Sequence, residues 1–213
     1  MIRFWGYLLL IFIISLNPFN GIAQSFNAGI TAGLNTARVL GGVNHSGWRR
    51  FGIIAGPFVE YELNELSGLK MEMLFSQKGE KKPYRPNVGD YTFYQLRLNY
   101  IDIPVFYYYK HTKFIFEAGP SFNYLIEYSE EDLSGPLTFE RPFNTMEFAA
   151  LFGVNYKLTE NLDMNWRYSN SLVPIREHLG GSVYRLNRGQ YNSFFTFKVI
   201  YWFNKDRKHA SGE

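Results

Sequence analysis

Between residues 26 and 203, apolar and polar side chains alternate with a period of two over eight separate runs. In Phe26–Ala37, Phe26, Ala28, Ile30, Ala32 and Leu34 alternate with Asn27, Gly29, Thr31, Gly33 and Asn35. A second run, Phe51–Glu62, is less clean because both parities are partly apolar. In the third, Leu69, Met71, Met73 and Phe75 oppose Lys70, Glu72, Leu74 and Ser76. The fourth covers Tyr94–Tyr109 and the fifth Lys113–Tyr128. The sixth is Met146–Leu158, the seventh starts at Leu162 and passes Trp166 and Tyr168, and the eighth is Tyr191–Phe203. Such alternation predicts strands with one apolar and one polar face. Each run is about as long as a strand that crosses a bilayer at a tilt, roughly 9–11 residues.

The connections alternate in length. Leu63–Gly68, Lys110–Lys113 and Thr159–Asn161 are short, whereas Arg38–Arg50, Gly79–Phe93, Ser129–Thr145 and Ile175–Gly189 are long and polar. Short turns on one side and long loops on the other are the pattern of an outer-membrane barrel. The pattern predicts an all-β fold, an eight-stranded antiparallel up-and-down transmembrane β-barrel over residues 24–204. An even strand count puts both termini, and a short tail at 205–213, in the periplasm. Pro57, Pro104 and Pro120 fall inside strands, where proline removes a ladder donor. Gly56-Pro57 and Gly119-Pro120 are therefore expected to form bulges that bend the wall.

Composition sharpens this picture. Aromatic residues make up 19% of the chain, with 20 Phe and 16 Tyr, yet mean hydropathy is only −0.22. Lipid-facing aromatic girdles around a polar interior account for both values. Cysteine is absent, which excludes disulfides and thiolate metal sites. The net charge of +3 comes without a basic stripe, so nucleic acid is not an expected partner. At the N-terminus, Arg3 precedes an apolar run from Phe4 to Leu16, and Gly21-Ile22-Ala23 offers small residues for cleavage. Residues 1–23 are expected to be a secretory signal peptide.

With the apolar parity facing lipid, the opposite parity collects Glu60, Lys70, Glu72, Asp102, Glu117, Glu147, Asp163, Arg167 and Lys198. An eight-stranded barrel is just wide enough for side chains to fill. An interior charge network is expected, in preference to a conducting pore. Candidate chemistry is sparse. His111 lies in a short turn, His209 in the tail, and His45 and His178 in loops; neither His45-Ser46 nor Glu177-His178 with Ser182 has the form of a catalytic set. Glu130-Glu131-Asp132 lacks the ordered spacing of a calcium loop and is expected to be a solvated acidic tip. No catalytic residue, metal site or cofactor is assigned. Trp48, Arg49 and Arg50, then Lys81, Lys82 and Arg85, and also Arg185 and Arg188, make three long loops basic. These are candidate contacts for outer-membrane lipid and the phosphates of lipopolysaccharide; the equal alternative is mixed charge that only keeps the loops soluble.

The run Tyr100-Ile101-Asp102-Ile103-Pro104-Val105, followed by Phe116-Glu117-Ala118-Gly119-Pro120-Ser121, resembles the PorT-like outer-membrane barrel family of Bacteroidetes. Gly29-Ile30-Thr31-Ala32-Gly33-Leu34-Asn35 and Met73-Leu74-Phe75-Ser76-Gln77-Lys78-Gly79 are further family-like phrases. The resemblance covers essentially the whole mature chain. It implies a non-enzymatic barrel serving an envelope or protein-secretion complex of the type IX kind. A narrow small-solute channel and a lipid-modifying barrel enzyme are the alternatives.

Overall fold

The computed structural model describes residues 26–41, 48–137, 142–177 and 189–204. The expected signal peptide, the tail, His45, Ser46, His178, Ser182, Arg185, Arg188 and His209 lie outside the described residues. The strands are β1 (Phe26–Leu40), β2 (Arg50–Glu62), β3 (Ser67–Glu72), β4 (Leu74–Lys82), β5 (Tyr94–His111), β6 (Phe114–Asp132), β7 (Gly135–Pro136), β8 (Met146–Lys157), β9 (Leu162–Ser171) and β10 (Tyr191–Asn204). Every pairing between them is antiparallel, and β1 pairs with both β2 and β10, so the sheet closes into a ring. β3 and β4 are one wall strand interrupted at Met73, and β7 is a two-residue piece inside a loop. The ten segments therefore build the eight walls of a barrel.

The break at Met73 has a simple cause. Met73 stands opposite Pro57 and donates its N–H to the Pro57 carbonyl at 3.0 Å. Proline has no N–H to return, so the ladder is one-sided there. The register is the same on both sides of the gap, with Phe58 opposite Glu72 and Ala55 opposite Phe75. Pro104 keeps its place opposite Ser121, and Pro120 its place opposite Ala150. The prolines interrupt hydrogen bonds without shifting register, contrary to the bulges expected at Gly56-Pro57 and Gly119-Pro120. The register shift in this hairpin falls elsewhere: Asn99 pairs with Glu127 but Tyr100 with Leu125, leaving Ile126 unmatched. Strands also run further than the alternation suggests. β4 continues to Lys82 and β6 to Asp132, which places Lys81 and Lys82 on the wall rather than in a loop.

Burial is inverted relative to a water-soluble domain. Phe51 is 67% exposed and Phe26 60%, while Lys78 and Lys198 are fully buried. The exposed band continues around the ring through Met71, Tyr107, Phe116, Phe152, Trp166 and Phe197. Such a surface is stable only against hydrocarbon. Inside, two apolar layers sit at the two ends. Phe58, Ile200 and Trp202 pack near the short turns. Val39, Leu96, Leu98, Tyr100, Leu125, Phe143 and Ile175 pack at the long-loop end. The glycines of the β1 phrase serve this interior: a Cβ on Gly29 would meet the Phe58 ring at 2.6 Å, and one on Gly33 would meet Lys198 at 2.5 Å.

Candidate functional site

Between the apolar layers the inward positions of seven strands carry charge. Nearer the short turns, Arg167 of β9 grips two carboxylates. It donates to both oxygens of Glu72 at 2.8 and 3.1 Å, and to Glu117 at 3.0 and 2.6 Å. Lys198 of β10 reaches Glu72 at 2.6 Å, and Lys70 lies 3.3 Å from Glu72 and 3.9 Å from Glu117. Asn155 and Asn165 donate to the Glu117 carboxylate at 3.0 and 2.8 Å. The guanidinium of Arg167 stacks 4.2 Å from the Phe106 ring. Paired, hydrogen-bonded and stacked, these ions meet the conditions under which buried charge is tolerated.

A second cluster lies one level nearer the long loops. Lys78 of β4 contacts Asp102 at 2.8 Å and Glu147 at 3.4 Å. Asn192 donates to Glu147 at 3.0 Å, and the Ser171 hydroxyl donates to the same carboxylate. With its amide nitrogen toward Asp102 and its oxygen toward Lys78, Asn123 bridges that pair at 3.2 Å on each side. Asp102 and Glu117 thus belong to different clusters. Of the other inward charges, Asp163 accepts from the Trp202 indole at 2.8 Å, and buried Glu60 stands directly opposite Lys70.

Four buried charges fall outside the sequence prediction: Lys78, Glu80, Glu130 and Arg176. Lys78 shares the parity of Lys70, Glu72 and Ser76, so carrying the alternation one step further finds it. Glu130 is buried, not a solvated tip. The unmatched Ile126 reverses the parity of β6, turning Glu130 inward, where Arg176 donates to both its oxygens at 2.8 and 3.2 Å. Tyr94 donates its hydroxyl to Glu130, and Gln190 accepts from Arg176 at 3.0 Å. No local feature of the sequence links Arg176 to Glu130. The neighbouring Glu131 stays near the surface, 3.8 Å from Arg97.

The candidate loop residues occupy different settings. Trp48 packs on the outer wall, 4.7 Å from the Phe195 ring and 6.3 Å from Tyr168, with the Arg38 guanidinium 4.2 Å above it. Arg49 is exposed and Arg50 half-buried. Lys82 and Arg85 both face Asp90, at 3.6 and 3.5 Å. The Thr92 hydroxyl, 2.6 Å from Asp90, together with these cations holds the Asp90 carboxyl below its usual range. His111 is exposed beside the turn residue Thr112, whose φ is 57°. Among the described residues, no three His, Asp or Glu side chains converge as metal ligands would.

A closed antiparallel ring with a charged interior and an apolar exterior agrees with the family whose model matches residues 22–177, described as an outer membrane protein beta-barrel domain. The chain belongs to that family. This outer-membrane barrel is similar to the crystal structure of Ail, the attachment invasion locus protein of Yersinia pestis, at 12% identity, with 84% of this chain and 100% of that one covered and a TM-score of 0.50. It is also similar to Neisserial surface protein A, at 16% identity, 83% and 96% coverage and a TM-score of 0.49. For Acinetobacter baumannii CarO the values are 10% identity, 82% and 97% coverage and a TM-score of 0.47. At such identities a likeness shows the fold alone. No curated protein matches the chain.

Proposed function

We propose that this outer-membrane barrel is a non-enzymatic, plugged anchor that serves an envelope or protein-secretion assembly of the PorT-like, type IX kind. One observation carries the reading: among the described residues, apolar clusters and ion pairs occupy the interior from the short-turn end to the long-loop end. Apolar clusters pack at both ends, two ion-paired clusters lie between them, and the Glu130–Arg176 pair sits toward the long loops. Side chains in such number inside a barrel this narrow disfavour the channel alternative. The Tyr100–Val105 and Phe116–Ser121 phrases support the family-level role, and both belong to the wall. In this reading the short turns and both termini face the periplasm, and the long loops meet lipopolysaccharide and partner proteins outside. Planar-bilayer recording tests the plug: the pure protein should give no stable unitary current, and reproducible single-channel steps would refute it. Affinity capture in mild detergent, followed by mass spectrometry, tests the assembly role. Recovery of the barrel without envelope or secretion proteins would refute that part.

A further inference from the structure

The outer wall is not uniformly convex. A groove of about 380 Å³ runs across β2, β1, β10 and β9, walled by Leu34, Phe51, Trp166, Phe195 and Phe197, with Thr36 at its long-loop end. That volume lies within the range of small-molecule pockets, roughly 300–1,000 Å³. Its lining is almost wholly apolar, and it opens onto the lipid-facing surface. Aromatic pairs hold its shape: Trp166 and Phe197 meet edge to face at 5.4 Å.

The long-loop end of the groove is basic. The Thr36 hydroxyl donates to the Trp48 carbonyl at 2.9 Å, fixing Trp48 over Phe195. Arg38, the next outward residue of β1, lies on Trp48, with Arg49 beside it in sequence. Among the described residues, the Nε of Arg38 has no hydrogen-bond partner. Among the described residues, no carboxylate forms an ion pair with Arg38 or Arg49, whereas Lys82, Arg85, Arg97 and Arg176 each face one. A guanidinium at the end of an apolar slot, Arg38 stacked on Trp48 with Arg49 next to that tryptophan in the chain, has the chemistry of a headgroup site over a chain site.

We infer that this groove holds one acyl chain of a phosphorylated lipid from the surrounding leaflet, with the phosphate on Arg38 and Arg49. The inference deepens the lipid contact proposed above and rests on that part of the reading, not on the plug. The full-length mature barrel, purified in detergent, is titrated with diphosphoryl lipid A, its dephosphorylated form and phosphatidylcholine, and adducts are counted by native mass spectrometry. One diphosphoryl lipid A should remain bound, with roughly tenfold or greater preference over the other two. Arg38→Gln/Arg49→Gln should abolish the preference, and Arg38→Lys/Arg49→Lys should keep most of it. Leu34→Trp, which fills the slot without changing charge, should weaken the adduct. Each variant is scored only on protein whose gel migration still shifts on boiling, so a misfolded barrel is not counted. Equal binding of phosphorylated and dephosphorylated lipid, or a preference untouched by the Gln pair, would overturn the site. Single-channel currents would refute the plug and leave this inference standing.

Discussion

Arg167 is the most informative residue to perturb. It is 3% exposed, and its guanidinium is shared between Glu72 and Glu117, 95 and 50 positions away in the chain. Arg167→Met keeps much of the volume and the stacking on Phe106 but deletes the charge. Removing one partner of a buried ion pair costs roughly 3–5 kcal/mol, because the other charge is left uncompensated. Here the loss is cushioned. Glu72 keeps Lys198 at 2.6 Å and Lys70 at 3.3 Å, and Glu117 keeps the Asn155 and Asn165 amides. The expected destabilisation is therefore at the low end, about 3 kcal/mol. Arg167→Lys restores charge but not the two-pronged geometry, so it should still lose about 1.5 kcal/mol. Arg167→Met/Glu117→Gln removes one charge of each sign, and the new amide can pair with Asn155. It should recover about half of the single-variant loss, since coupled neighbours are not additive. Urea unfolding in micelles, followed by tryptophan fluorescence, measures each difference at constant slope. If Arg167→Met came within about 0.5 kcal/mol of wild type, the reasoning would fail. A double variant as unstable as the sum of its parts would also sink it.

Other consequences can be checked by the same means or by proteolysis. Phe122 is 45% exposed to lipid and packs edge to face on Phe148 at 5.2 Å, so Phe122→Lys should cost about 2–4 kcal/mol. Phe114→Lys, beside the short turn, should cost only about 0–1 kcal/mol, and equal losses in the two would refute a membrane boundary near the short turns. Deleting Ile126 restores simple alternation in β6, turns Glu130 outward and takes the carboxylate away from Arg176. Trypsin should then cleave after Arg176, whose side chain is buried in the wild type, and an unchanged fragment map would refute the role given to the bulge.

How much of this was legible beforehand follows from the range of the forces involved. Strand identity, lipid-facing parity and barrel class are local properties. A side chain two positions on faces the same way, so Phe114, Phe116, Phe122 and Tyr124 declare an apolar face from sequence alone. The inward parity of Glu72, Glu117, Arg167 and Lys198 is visible for the same reason. Lys78 is equally visible, one step beyond Ser76 on the same parity. Partner choice is another matter. Arg167 meets Glu72 only because the ring closes and its strands are offset, and neither closure nor offset is written in any one strand. Glu130 shows the limit most sharply. One unmatched residue at Ile126 reverses the parity of everything beyond it, and a chain pattern carries no mark of where a ladder will skip. The alternation by itself determined an outer-membrane barrel with charges inside. Only the tertiary structure decided which charges meet, that apolar clusters sit at both ends of the interior, and that an apolar groove lies beside Trp48 and Arg38. Period is set by backbone geometry at each residue, whereas pairing is set by register summed around the whole ring.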